Sequence, residues 1–217
     1  MSLDLVTICE HTFFANGLDE HAVVVDAGAN IGEFSRQCNS RFGCVPYALE
    51  PNPTSAAQIS TAQVFPYALS SSSGQVKLFV GPNPEACSIF PLPEHANTVT
   101  ARSIALSDFL SEQRLTRIDL LKLDIEGAEL DVLASLTGSD VIRQITVEFH
   151  DFMFPDQREH VIQSIRHMHN LGFRCFNFSS PGHGDVLFVN PRFRLPFASA
   201  LRGYARIIAR SCKRQMS

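Results

Sequence analysis

The sequence predicts a doubly wound α/β fold, in which a mostly parallel sheet is wrapped by helices. Short apolar runs alternate with segments of helical period along the chain, the pattern such a sheet leaves in a sequence. Acids close several of those runs, at the strand ends where open α/β sheets bind their ligands. The 217 residues, 45% hydrophobic and 18% charged, suffice for one well-cored domain and are too few for two comfortable ones.

The elements follow in order. Ala22–Val25 reads as the first strand, closed by Asp26-Ala27-Gly28, and a helix runs from about Ile31 to Asn39. Val45–Leu49 is the second strand; Asn52 then caps a helix whose first position suits Pro53. Val64–Ala68 reads as the third strand and Gln75–Val80 as an added extended segment behind a Ser-Gly turn. The four prolines between Gly81 and Pro93 predict an irregular loop. Ser107-Asp108 opens a short helix, Ile118–Leu123 is the fourth strand, and Ala128–Leu136 is a helix. Ile142–Phe149 is the fifth strand and Arg158–Leu171 the helix after it. Gly172–Phe178 and Val186–Val189 read as a final hairpin-like pair at one edge.

Composition excludes several classes. No apolar run approaches the ~20 residues that span a bilayer, and Asp4 stands where a secretory signal would carry Lys or Arg, so a cytoplasmic protein is expected. The cysteines (Cys9, Cys38, Cys44, Cys87, Cys175, Cys212) form no C-x-x-C pair and read as small buried hydrophobes. Seven of the 18 Lys and Arg lie in residues 192–217, which hold no acid, so the body before them is strongly acidic and should repel nucleic acid. Residues 1–191 are therefore read as the domain and 192–217 as a basic tail. In that tail Phe197, Leu201, Tyr204 and Ile208 fall on one helical face, with Arg202, Arg206, Arg210 and Lys213 opposite. Such a segment either packs on its own domain or lies on a membrane surface or acidic partner.

Three acids end predicted strands: Asp26, Glu50 and Asp124. The turn Asp26-Ala27-Gly28-Ala29-Asn30-Ile31-Gly32 lets a ligand approach the backbone at Gly28 and the helix pack closely at Gly32. Glu50, at the end of the next strand, suits the two hydroxyls of a ribose. The turn lacks the G-x-G-x-x-G of a dinucleotide site, and an acid beside it is poorly matched to pyrophosphate. A cationic, phosphate-free nucleoside, S-adenosylmethionine, suits three carboxylates better.

Three segments then resemble the signatures of the FkbM-type methyltransferases. They are Asp26-Ala27-Gly28-Ala29-Asn30-Ile31-Gly32, Glu50-Pro51-Asn52-Pro53, and Leu121-Lys122-Leu123-Asp124-Ile125-Glu126-Gly127-Ala128-Glu129. Val147-Glu148-Phe149-His150 is similar to the family's fifth-strand ending and Cys87-Ser88-Ile89 to its mid-chain serine. The resemblance spans residues 22–190 and implies a seven-stranded, Rossmann-like class I methyltransferase fold with an antiparallel edge strand. It implies methyl transfer from S-adenosylmethionine, commonly to a sugar or polyketide hydroxyl. Carried over, Gly28 and the turn after it face the methionine part, and Asn30 stands where many such enzymes have a central glycine. Glu50 faces the ribose, and Ala68 and Leu69 flank the adenine. About 21 residues precede the first predicted strand, where relatives often carry a longer lead that helps close the pocket.

Methyl transfer to oxygen needs an acceptor held close to the methyl and a group to take its proton. Asp124, ending the fourth strand, is the first candidate for the acceptor side, and His150, ending the fifth, is the second. Glu126 is open, and Glu129 reads as an acid favoured by a helix N-terminus. No metal is assigned; the weaker alternative is a Mg²⁺ held by Asp124, Glu148 and Asp151. His160, His167 and His169 read as surface residues of a helix. The leading expectation is an O-methyltransferase acting on a small molecule or glycan. A nucleotide-cofactor oxidoreductase and a non-catalytic binding module on the same fold are the competing readings.

Overall fold

The first strand lies earlier than the apolar pattern places it. A computed structural model, describing residues 4–81, 87–88, 97–138, 140–151, 157–179 and 182–192, opens with an antiparallel hairpin. Its strands are β1 (Leu5–Ile8) and β2 (His11–Phe14). Cys9 and Glu10 turn the chain with φ of 45° and 64°, a left-handed pair made without glycine or asparagine, so no turn residue announces it.

The next elements follow the expected sequence: β3 (Val24–Ala27), α1 (Glu33–Phe42), β4 (Tyr47–Leu49) and α2 (Pro53–Ala56). The Asn52 side chain accepts from the Thr54 N–H at 3.0 Å, and Pro53 takes the first helical position, as its missing N–H favours. The expected third strand is in fact two, β5 (Gln63–Phe65) and β6 (Tyr67–Ser70). Pro66, between them, cannot donate to a ladder, and there the chain leaves one sheet for another. The second sheet, in the order β6-β9-β7-β8, adds β7 (Gly74–Val80), β8 (Cys87–Ser88) and β9 (Asn97–Ala105). No expectation covered β9. Thr98, Val99, Thr100 and Arg102 on it are exposed, so it forms no apolar run. Of the proline-rich loop, only Gly81 and the short β8 are among the described residues.

Then come α3 (Leu106–Glu112), β10 (Leu120–Leu123), α4 (Glu129–Ser135), β11 (Gln144–Val147), α5 (Arg158–Asn170), β12 (Arg174–Asn177) and β13 (Val186–Val189). The main sheet runs β12-β13-β11-β10-β3-β4-β5. The five strands from β11 to β5 are mutually parallel, and β13 is antiparallel to both its neighbours. This is the expected seven-stranded, Rossmann-like α/β sheet. Its antiparallel member sits one place in from the edge, because β12 passes outside it.

The sheet's period of two sorts its side chains between two cores. Val25, Ala27, Leu121, Leu123, Ile145 and Val147 pack with α3, α4 and α5. Val24, Leu120, Leu187 and Val189 pack instead with Phe34 and Cys38 of α1 and with Phe13 and Phe14 of the hairpin. Asp26, Lys122 and Thr146 share the parity of this second face and lie side by side across three strands. No helix among the described residues is long and apolar enough to cross a membrane. The amphipathic segment expected in the tail, from Phe197 to Lys213, lies outside the described residues.

The hairpin is fastened by side chains as well as packing. Gln144, fully buried, accepts from the Phe14 N–H at 2.9 Å and donates to the Phe14 carbonyl at 3.0 Å. Asp185 accepts from the Thr12 N–H at 3.0 Å and its hydroxyl at 2.6 Å. Gln144→Leu keeps the volume but strands two buried backbone groups. It should lower the unfolding free energy by about 2–4 kcal/mol in urea titration.

Candidate active site

At the carboxyl ends of the parallel strands the backbone is stitched across the sheet. Gly28 N–H donates to Leu49 O at 3.0 Å, Glu50 N–H to Phe65 O at 3.0 Å, and Glu148 N–H to Leu123 O at 3.0 Å. Strand order reverses beside β3, so the turns after β3 and β10 border the same crevice. They also touch. A Cβ at Gly28, whose φ is +74°, would stand 1.7 Å from the Asp124 carbonyl oxygen. Only glycine can occupy that position.

Beneath the turns lies Lys122, 4% exposed in the middle of β10. Its ammonium donates to the Gly28 carbonyl at 2.7 Å and lies 3.3 Å from both Asp26 Oδ1 and Asp124 Oδ2. Burial alone would draw its pKa down, but the two carboxylates outweigh that and hold it above its ordinary value. Asp124 answers in kind. Burial pushes its carboxyl up, while Lys122 above all holds it well below the usual carboxylate range.

Glu50, 6% exposed, organises the opposite side. One carboxylate oxygen accepts from the Asn30 N–H and the other from the Asn52 N–H, each at 2.8 Å. Burial nevertheless raises its pKa, against the pull of these two donors. Glu129 does the same for the turn after β10, accepting from the Ile125 N–H at 2.9 Å and the Gly127 N–H at 3.0 Å. It is 2% exposed, so it is a buried brace rather than a surface acid favoured by a dipole.

These braced turns surround a cavity open to solvent. Gly28, Asn30, Glu50, Ala68, Leu69 and Asp124, all anticipated from the sequence, line it together with Asn52, Ser55, Leu78 and Glu126. Three anticipated residues are not in that lining. Asp26 is fully buried, paired with Lys122 and accepting from the Ser35 hydroxyl at 2.7 Å. Gly32, at φ +83°, is the N-cap of α1, where an added Cβ would meet Ile59 at 3.0 Å. His150, 8% exposed, lies 3.5 Å from Glu126 and 3.7 Å from Glu129.

Two groups carry no role in the sequence reading. Lys122 had a signal, since a lysine flanked by leucines inside a strand must find a counter-charge when buried. His11 had none. It comes from the unforeseen hairpin and is 1% exposed, with Nε2 3.8 Å from Asp124 Oδ2 and its ring edge-on to Phe34. Asp151, grouped in the sequence reading with Asp124 and Glu148, is instead held by His183, at 3.0 Å from its N–H and 2.7 Å from Nδ1.

Known proteins resemble this chain in the same region. Residues 26–175 match the family described as the methyltransferase FkbM domain. A hexuronic acid methyltransferase, AglP, of Haloferax volcanii is 28% identical, with 61% of this chain and 57% of that protein covered. Methyltransferase sdnD of Sordaria araneosa is 29% identical, with 64% and 70% covered. The 31-O-demethyl-FK506 methyltransferase FkbM of Streptomyces tacrolimicus is 27% identical, with 59% and 65% covered. The chain thus spans from 57% to 70% of the length of these relatives.

Glu148 supplies a test of the local electrostatics. Burial first and the Asp124 charge second raise its pKa from 4.5 to about 7. Between those values the folded chain binds a proton that the unfolded chain does not, so this group's contribution is full below the lower value and is lost as pH rises through the upper one. Glu148→Gln, neutral throughout, should therefore melt higher than the parent at about pH 8 and near it at about pH 4. Thermal melts at the two pH values check this.

Proposed function

Because this chain belongs to the methyltransferase FkbM domain family, we propose that it transfers the methyl group of S-adenosylmethionine to a hydroxyl of a sugar, glycolipid or polyketide-type small molecule. One observation carries the reading. Residues far apart in sequence, from Gly28 to Asp124, converge on one cavity whose charged lining is acidic. That lining suits a donor with an ammonium and a sulfonium and no phosphate. The bare backbone at Gly28 allows close approach, and Ala68, Leu69 and Leu78 give an apolar wall for a purine.

S-adenosylmethionine, when bound, supplies an electrophilic methyl carbon. The chain's own residues do the rest. Glu50 already spends one lone pair of each oxygen on a backbone N–H, so it is fixed in place, and the remaining lone pairs accept the ribose hydroxyls. Asp124, kept ionised by Lys122, is too weak a base to hold a proton at neutral pH; it faces the cavity as a fixed anion. The proton of the acceptor hydroxyl then falls to His150, which lies behind the cavity wall, 3.5 Å from the lining residue Glu126 and 3.7 Å from Glu129. One relative's name gives a hexuronic acid as its substrate and another's gives 31-O-demethyl-FK506, which supports an oxygen acceptor on a sugar or similar small molecule.

Calorimetry with S-adenosylmethionine tests the donor. Glu50→Gln should weaken binding by about 2 kcal/mol, roughly 30-fold. An unchanged dissociation constant removes Glu50 from the site. Transfer of radiolabelled methyl to a panel of uronic acids, glycolipids and polyketides tests the acceptor. On the accepted substrate His150→Ala should cut turnover by about 10²-fold and leave donor affinity unchanged. Wild-type turnover would exclude it as the proton acceptor.

A further inference from the structure

We propose that His11, Asp124 and Glu148 form a binding site for one divalent cation of mixed nitrogen and oxygen preference, for which Mn²⁺ is the probe. The three come from β2 and from the ends of β10 and β11, and their ligand atoms all lie within 4.8 Å of one another. Atoms grouped about an ion at roughly 2.0–2.6 Å have separations of that size.

The acids alone would not make a site; the histidine does. His11 is 1% exposed, and its Nε2 has no hydrogen-bond partner among the described residues. That nitrogen faces Asp124 Oδ2 from 3.8 Å, beyond hydrogen-bond reach. Nδ1 lies 3.4 Å from the buried Thr146 hydroxyl. With Nδ1–H directed at that oxygen, Nε2 presents its lone pair to the cluster, the arrangement by which metal-binding imidazoles are oriented.

Charge agrees. Lys122, 3.3 Å from Asp124 Oδ2, would by itself oppose a second cation. Asp26, at the same distance from the ammonium, balances it. Asp124 and, with its proton displaced by the ion, Glu148 are left to offer two negative charges, and the His11 imidazole adds a donor nitrogen without a third. One imidazole with two carboxylates leaves open positions in an octahedral shell and suits a borderline ion. Asp124 borders both this cluster and the cavity, so a hydroxyl reaching the cation would become more acidic beside the bound donor. Asp151, three residues beyond Glu148, is committed to His183 and takes no part in the cluster.

The inference does not rest on the methyl donor, because cation binding is read on the full chain with no donor or acceptor present. Titrated with Mn²⁺ and followed by electron paramagnetic resonance, the chain should remove one equivalent of the free-ion signal. Glu148→Gln and His11→Gln should each weaken that binding at least tenfold, and Asp151→Asn should leave it unchanged. Glu148→Gln relieves a buried charge and so folds at least as well as the parent, which separates loss of a ligand from loss of structure. Absence of Mn²⁺ binding, or equal binding by both His11→Gln and Glu148→Gln, overturns the site. So does binding abolished by His150→Ala and untouched by His11→Gln, which would move the ion to the neighbouring group of Asp124, Glu126 and His150.

Discussion

One buried ammonium sets the terms for the rest of the site. Lys122 touches the carbonyl of Gly28 and the carboxylates of Asp26 and Asp124, and its charge and one of its donors answer all three. A lone charge in such surroundings costs several kcal/mol, and removing one partner of a buried pair typically costs 3–5 kcal/mol because the other is left uncompensated. The lysine therefore needs Asp26 and Asp124, and they need it. The same contact fixes the turn after β3 against the end of β10, the two walls of the crevice. Phe34, 5.9 Å from the ammonium at its ring centre, and the hairpin close over it and keep water out. The arrangement is thus rigid before any ligand arrives, so little ordering is left for binding to oppose.

Much of this was legible in the sequence, for identifiable reasons. The parallel strands show because both faces of the sheet are buried, and a strand buried twice is a plain apolar run. The strand-end acids show because they interrupt those runs. Gly28, Glu50 and Asp124 then follow from the topology, which brings strand ends to one crevice, while Asn30, Ala68 and Leu69 came from the family resemblance. Asp26 shares the strand-end position but not the cavity lining. Its place at a strand end is correct, but its parity turns the side chain to the hairpin face, toward Lys122. Parity within the strand held that information.

What escaped the sequence was of two kinds. The β1–β2 hairpin and β9 are half polar or turned by non-glycine residues, so neither pattern nor punctuation marks them. The braces are the other kind. Glu129 and Glu50 look like ordinary helix-preceding or helix-opening acids, and only their depth reveals that each holds two backbone N–H groups. The split at Pro66 belongs with these: its position was visible, yet the change of sheet there depends on contacts with β9 that lie some 35 residues on.

The fastening of the hairpin has a consequence for how the protein comes into being. Thr12 is joined to Asp185 across 173 residues of chain, His11 to Thr146 across 135, and Phe14 to Gln144 across 130. During synthesis the hairpin leaves the ribosome well before these hydrogen-bonding partners, which emerge more than a hundred residues later. Until then it has its own two strands and the rings of Phe34 and Phe42 on α1, and an isolated hairpin is marginal in water. The hairpin thus completes its docking late, and it covers Lys122 when it does. The cover over Lys122 is therefore completed only once β11, which carries Gln144 and Thr146, has been made.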